Sequence, residues 1–259
     1  MIVGPYINAA AIITGALIGA MIGGKLPERL RINLTLIFGL CSMCMGIVML
    51  SKVESMPAMV LSILIGTIIG EIILLENGIN KLASYAKSLV ERVFPSAPKG
   101  ISHDEFLGKF VALVILASFS GTGIFGAMNE GMTGNPSILI VKSFLDFFTA
   151  MIFATTLGYA VTTIFIPQTL LQSILAYSAV FIIPFVTPEM RADFGAVGGV
   201  LMIATGFRIC NIQMFHVANM LPALFLVMPI SHFWQSFFFI EKKNSYKFIY
   251  SYFLFLFFS

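Results

Sequence analysis

The chain has 259 residues, of which 58% are hydrophobic and only 10% are charged, and its mean hydropathy is +0.97. A soluble domain carries about 25% charged residues because its surface must face water, so this composition excludes an ordinary soluble globule. The formal net charge of +3 is too small to indicate nucleic-acid binding. A bilayer-crossing helix needs about 20 apolar residues, so we predict an all-α polytopic transmembrane bundle of seven or eight spans, with allowance for a broken or re-entrant helix.

The apolar runs, taken in chain order, are long enough for such helices. They cover 3–24, 32–51, 58–75, 110–128, a fifth run that starts as early as 138 and ends near Pro167, and 169–186. The stretches 129–136 and 188–193 are predicted to be loops. The region 195–239 forms either two crossings joined by a polar hairpin or one crossing and a half-helix. We assign 1–239 to a single transmembrane domain. The tail 240–259 has an atypical composition and is either a natural extension or a translated frameshift.

One long polar stretch, 77–109, interrupts the apolar runs. Its apolar residues between 79 and 93 recur at helical spacing, which predicts an amphipathic helix on the membrane surface. The loop after the first helix has three Lys or Arg residues and the loop after the third has at least four, whereas the loop after the fourth has none. By the positive-inside rule the two basic loops are cytoplasmic and the N-terminus faces outward.

Small residues repeat every four positions in the first and third helices. The glycines in these repeats are Gly15, Gly19, Gly23, Gly66 and Gly70. This spacing lets two helix backbones approach closely, so it predicts tight helix packing. The partner helix belongs either to the same chain or to another; we favour the same chain, because a small bundle needs such contacts.

Gly121, Gly123 and Gly126 form the pattern GxGxxG. A dinucleotide site needs this pattern between a strand and a helix, and here it follows an apolar helix, so we reject a nucleotide site. Two interpretations stay open. We favour close packing; the alternative is an unwound turn in which Ser120 and Thr122 line a cavity.

Charged residues within apolar helices are functional candidates, because they are costly in a membrane. Glu71, near the end of the third run, either serves a function or reaches the cytoplasmic interface beside Glu76. Lys142 and Asp146 are four residues apart and share one helical face. They form either a neutralising pair, which we favour, or an ion or proton site.

The densest polar group in the apolar regions lies between 208 and 219. It is either a hairpin turn at the cytoplasmic surface or a polar floor below a solute pathway. With Asn8 of the first helix added, the candidates for a substrate or ion pathway are Asn8, Glu71, Ser120, Thr122, Lys142, Asp146, Arg208, Asn211 and Asn219.

Catalytic and cofactor motifs are not found in the sequence. It contains no Ser/His/Asp set, no HExxH motif and no phosphate-binding loop. Cys41 and Cys44 form C-x-x-C inside an apolar run without partners for zinc, so we expect buried small hydrophobic residues. We predict no enzyme activity, no metal and no cofactor.

Several short motifs are distributed over residues 1–234. They are Asn8 with the glycine-spaced first helix, Phe38-Gly39-Leu40, Gly66-x-x-x-Gly70-Glu71 with Glu76, Gly126-Ala127-Met128-x-x-Gly131, Lys142-Ser143-x-x-Asp146, Gly198-Gly199 and Asn219-Met220-Leu221-Pro222-Ala223. In these motifs the chain resembles the YqgA-like bacterial membrane proteins, a domain-of-unknown-function family. The resemblance implies an integral inner-membrane protein, in some cases labelled a transporter, and supplies no substrate or catalytic residue.

Two functions from different classes follow from these observations. The first, which we favour, is transport of a small solute or ion through a bacterial inner membrane. The alternative is a structural or regulatory partner of another membrane protein, which the glycine repeats and the surface helix fit equally well. The expected partner is the lipid bilayer, with either a second copy of the chain or another membrane protein as a further partner.

Overall fold

The computed structural model describes residues 1–22, 27–79, 81 and 102–237. Within these ranges the protein is helical and contains no strand. The helices are α1 (Gly4–Ile22), α2 (Glu28–Leu50), α3 (Met56–Ile72), α4 (His103–Ser118), α5 (Gly121–Thr133), α6 (Ser137–Leu157), α7 (Phe165–Val180), α8 (Pro188–Ile209) and α9 (Val217–Phe237). The prediction of an all-α membrane bundle is confirmed.

In the part of the chain that the structure describes, five helical stretches are long and apolar enough to cross a bilayer. They are Gly4–Ile22, Ile32–Leu50, Ser137–Val180, Pro188–Ile209 and Val217–Phe237. Large hydrophobic side chains are exposed on the outside of the bundle, such as Ile47 at 58% and Leu64 at 56%. Such an exterior is unfavourable in water and natural in lipid, because lipid tails are as apolar as these side chains.

The helix contacts define two ends of the bundle. Gly15 lies against Phe147 and Gly19 against Met151, so α1 and α6 run in the same direction. We call the end at which α1 begins the Glu130 end, after a buried residue of α5 that contacts Gly4. We call the opposite end the Arg208 end.

Within the described residues, the chain passes between these ends eight times. Antiparallel contacts join α2 to α8, at Gly39 with Cys210 and Gly46 with Gly199, and join α3 to α9. Helix α4 begins at the Arg208 end, where Phe106 packs with residues from the last part of α6. Helix α5 continues the same pass to the Glu130 end, so α4 and α5 together form one interrupted pass.

The glycine repeats pack inside the chain, as predicted. A Cβ atom on Gly15 or Gly19 would overlap a backbone carbonyl of α6, and one on Gly66 or Gly70 would overlap the backbone of α9. The helix axes can therefore approach closely only because these positions lack a side chain. Gly23 lies outside the described residues.

Two predicted helix boundaries were wrong. The run 110–128 is not one helix, since α4 ends at Ser118 and α5 starts at Gly121 and extends through the predicted loop to Thr133. The chain turns between α6 and α7 earlier than the predicted position near Pro167. The turn is a 3₁₀ segment, Gly158–Ile164, in which Gly158 has φ of +65°. Pro167 lies in the first turn of α7, where a missing N–H breaks no helical hydrogen bond.

The structure also tests the predictions for residues 188–239 and for the two cysteines of α2. Residues 188–193 form the first turns of α8 and not a loop. Pro188 occupies the first helical position, where proline is tolerated. For 195–239 the two-helix alternative is correct. Cys41 and Cys44 are exposed and not buried, because they lie on the outer face of α2, where an apolar exterior accepts them. Of the stretch 77–109, residues 80 and 82–101 lie outside the described residues, as does the tail 240–259.

Candidate functional site

A cavity of about 630 Å³ lies in the half of the bundle near the Arg208 end. It is bounded by α1, α2, α4, α5, α6, α8 and the 3₁₀ segment. Its polar lining residues are Thr35, Ser42, Ser120, Thr122, Lys142, Asp146, Thr149, Thr205, Arg208 and Asn211. Six of the nine predicted pathway residues therefore line one cavity, although they lie on separate segments of the sequence.

The inner wall of the cavity contains the interruption between α4 and α5. Ser120 caps α5, because its Oγ accepts a hydrogen bond of 3.1 Å from the Gly123 N–H. The 13 residues of α5 span about 20 Å to the Glu130 end, so the helix begins inside the bundle and not at its surface. Ser120 and Thr122 line the cavity, so the amino end of α5 borders it. The unwound turn that the sequence left as an alternative is present, together with close packing at Gly126.

An ion pair lies beside this helix end. The Nζ of Lys142 is 2.5 Å from Oδ2 of Asp146, and their side chains are 4% and 14% exposed. Gln168 of α7 donates a second hydrogen bond, of 2.7 Å, to the same carboxylate oxygen. The two charges are thus neutralised inside the protein, as the four-residue spacing predicted, and they also face the cavity.

Two glutamines of α7 complete the polar surroundings, and the sequence analysis missed both. Gln168 and Gln172 are each 1% exposed. Neither amide atom of Gln172 has a hydrogen-bond partner in the described part of the chain. The available signal was the pair of glutamines spaced four residues apart in an otherwise apolar run, which places both on one helical face.

The outer rim of the cavity is polar as well. Arg208 forms an ion pair of 2.8 Å with Glu76 and donates to the carbonyl oxygen of Phe215 at 3.3 Å. Asn211 lines the cavity in the turn after α8, with φ of +54°. The group at 208–219 therefore forms a hairpin in which Arg208 and Asn211 border the cavity, and its role in a solute pathway stays a prediction.

Three candidate residues lie away from the cavity. Glu71 is at the bundle surface, with its side chain 46% exposed and 3.3 Å from His216. Asn219 is buried and accepts a hydrogen bond of 2.7 Å from the Glu76 N–H. Asn8 is fully buried in α1, and its amide has no partner among the described residues.

Two buried carboxylates were wrongly placed in loops by the sequence analysis. Glu130 is fully buried in α5 and accepts hydrogen bonds from the N–H groups of Val3 at 2.7 Å and Gly4 at 2.9 Å. Asp193 in α8 has the equivalent role at the amino end of α3, where its Oδ1 accepts a hydrogen bond of 2.7 Å from the Ser55 N–H. A carboxylate at a helix amino end satisfies free N–H groups and opposes the helix dipole. Both residues therefore stabilise helix ends in the fold.

These features define an α-helical membrane protein with a partly polar cavity that ends at an interrupted helix. Residues 3–232 match the family described as Protein of unknown function (DUF554), and the chain belongs to that family. The motif resemblance noted in the sequence is thereby confirmed.

Two relatives give the extent of the similarity. The chain is 54% identical over 238 residues to "Uncharacterized protein YqgA" of Escherichia coli (strain K12), which covers 92% of this chain and 100% of that protein. It is 24% identical over 232 residues to "Uncharacterized membrane protein YdfK" of Bacillus subtilis (strain 168), covering 88% of this chain and 94% of that protein. No solved structure matches the chain.

Proposed function

We propose that the protein is a transporter of a small solute or ion in the bacterial cytoplasmic membrane. The observation that carries the proposal is the cavity that ends at the buried pair Lys142–Asp146 beside an interrupted helix. Interrupted helices bring backbone polar groups to membrane depth, where they are tolerated beside a cavity. A charge at membrane depth costs about 2.5–3.5 kcal/mol even on the lenient insertion scale, so an ion pair at the end of a cavity is a functional candidate.

The energetics of the pair favour a transport role over a purely structural one. A buried ion pair can often be replaced by packed hydrophobic residues without loss of stability, because its desolvation offsets its Coulombic attraction. By this argument the fold does not require Lys142 and Asp146 for its net stability. They do supply a polar contact for a solute in the cavity.

The proposed topology has eight crossings, with the Arg208 end in the cytoplasm. Lys25 lies between α1 and α2, Arg29 and Arg31 lie in the first turn of α2, and the stretch before α4 is also basic. By the positive-inside rule the cavity then lies on the cytoplasmic side, and the N-terminus faces outward.

The topology is tested with single cysteines at Ser84 and Asn135, introduced after replacement of the three native cysteines. We expect a membrane-impermeant thiol reagent to label position 135 in intact cells and position 84 only after the cells are opened. Labelling of position 84 in intact cells would overturn the orientation.

Transport is tested by uptake into proteoliposomes from a mixed panel of small organic anions, amines, amino acids and inorganic ions. We expect at least one solute to accumulate above the level in protein-free vesicles. The alternative function, as a partner without transport, predicts no uptake of any solute together with a protein that co-purifies in stoichiometric amount. That combined result would replace the proposal.

A further inference from the structure

We propose that the cavity takes a small organic monocarboxylate. Its carboxylate group would bind at the amino end of α5, near Lys142 and Ser120, and its apolar body would lie along the cavity wall. This inference rests on the proposed function, because it names the substrate class of the same site.

The first argument comes from the amino end of α5. Ser120 satisfies the N–H of Gly123, but the first two N–H groups of the helix, on Gly121 and Thr122, have no intrahelical partner. Such a helix end has a partial positive charge and attracts anions. Because this end lies inside the bundle and borders a cavity, the attraction is weakly screened by solvent.

The second argument comes from Gln172, which is independent of the helix end. It is 1% exposed, and its amide has no partner within the described residues. Its Nε2 atom is 3.4 Å from the point that a Cβ on Gly123 would occupy, and that point is also 3.0 Å from Ser120 Oγ and 2.7 Å from Lys142 Cε. An unpartnered donor, a hydroxyl and a lysine chain therefore converge on the first turn of α5, where Ser120 and Lys142 line the cavity and Gln172 lies behind them.

The charges at this place favour an anion over a cation. A lysine beside the positive end of a helix is unfavourable unless an anion is also present. In this structure that anion is Asp146, which contacts Lys142 at 2.5 Å. An ammonium group has three donors, so Lys142 can bind a second carboxylate while it keeps Asp146. The negative charge of Asp146 then weakens carboxylate binding by like-charge repulsion, so neutralisation of Asp146 should strengthen that binding.

The rest of the wall determines the kind of anion. Beyond the polar residues, the cavity is lined by hydrophobic side chains that include Ile12, Phe38, Leu113, Phe153, Val161 and Ile164. A phosphate or sulfate ion would leave this surface in contact with water. A single carboxylate with an apolar body satisfies both parts of the wall, and about 630 Å³ lies within the usual range for small-molecule sites.

The test measures thermal unfolding of the detergent-purified full chain with three probes: benzoate, benzyl alcohol and sulfate. Benzyl alcohol keeps the apolar ring without the charge, and sulfate keeps the charge without the ring. We expect benzoate at 100 times its Kd to raise the unfolding midpoint by roughly 5–10 °C, because it binds only the folded state. An equal rise with benzyl alcohol, or a rise with sulfate alone, would overturn the inference.

Three variants locate the site. Asp146→Asn should bind benzoate about 10-fold more tightly, and the combined change Lys142→Met with Asp146→Asn should abolish the response. Gly123→Ala keeps every charge, yet its new methyl lies 2.7 Å from Lys142 Cε and displaces that side chain, so it should also lose the response. Gly108→Ala is the matched control, since nothing lies within 4 Å of its added Cβ. An unchanged response in the double variant would refute the site.

The outcomes separate this inference from the proposed function. If benzoate binds as expected but no solute crosses the proteoliposome membrane, the site stands and the transport function fails. If an amine or a metal cation is transported and benzoate has no effect on unfolding, the transport function stands and the carboxylate inference fails.

Discussion

Removal of one partner from the Lys142–Asp146 pair should destabilise the protein far more than removal of both. Asp146→Asn leaves the ammonium of Lys142 without a counter-charge at a position where that side chain is only 4% exposed. Breaking a buried pair in this way costs about 3–5 kcal/mol. Lys142→Met should cost a similar amount, because Gln168 then remains as the one other hydrogen-bond donor to the Asp146 side chain within the described residues.

The double variant should recover most of the loss. When Lys142→Met and Asp146→Asn are combined, no net charge is buried, and the new amide oxygen at position 146 still accepts a hydrogen bond from Gln168. We expect each single change to lower the unfolding midpoint in detergent by roughly 6–20 °C and the double change to return it to within a few degrees of the wild type.

The exposed pair Glu105–Lys109 is the matched control for this cycle. Its atoms are 2.7 Å apart, but the two side chains are 52% and 46% exposed. The coupling energy of such a pair is about 0.3–0.5 kcal/mol, because water screens it. If the Lys142 and Asp146 single variants are as harmless as those of the control pair, and their effects add, the argument from burial is wrong.

Three further predictions concern the fold. Gly19→Leu should lower the free energy of unfolding by about 1–3 kcal/mol or more, because its Cβ would overlap the Met151 carbonyl, whereas Gly108→Leu should change little in the same melting assay. Glu130→Gln should cost about 1–2 kcal/mol, since it removes the charge that faces the amino end of α1; equal melting of this variant and wild type would exclude that role. Truncation after Phe239 should leave membrane insertion and detergent melting unchanged, and a large loss of folded protein would show that the tail is structural.

Local patterns were sufficient to predict much of the fold. A bilayer-crossing helix depends on the length of an apolar run, so most helices were found from hydropathy alone. Glycines spaced by four predict close packing because the spacing alone determines the shared face, and Gly19 and Gly70 do pack against neighbouring helices. The pairing of Lys142 with Asp146 followed from the same helical geometry.

The remaining features depend on which helices are neighbours, and no local pattern contains that information. Glu130 appeared to be a loop residue because Gly, Asn and Pro follow it, but it binds the N–H of Gly4, 126 residues away. Gln172 belongs to the candidate site only because α7 packs against α5 at Gly123. The helix interruption at Ser120 was an open alternative, since glycines there fit both close packing and an unwound turn.

The central claim is that a solute passes through the cavity that contains Lys142 and Asp146. The direct measurement is uptake into proteoliposomes by the wild type and by the double variant Lys142→Met, Asp146→Asn, after both are shown to melt at similar temperatures. We predict uptake by the wild type and none above protein-free vesicles by the double variant. Equal uptake by both proteins would contradict the account, because it would show that transport of the solute does not require this ion pair.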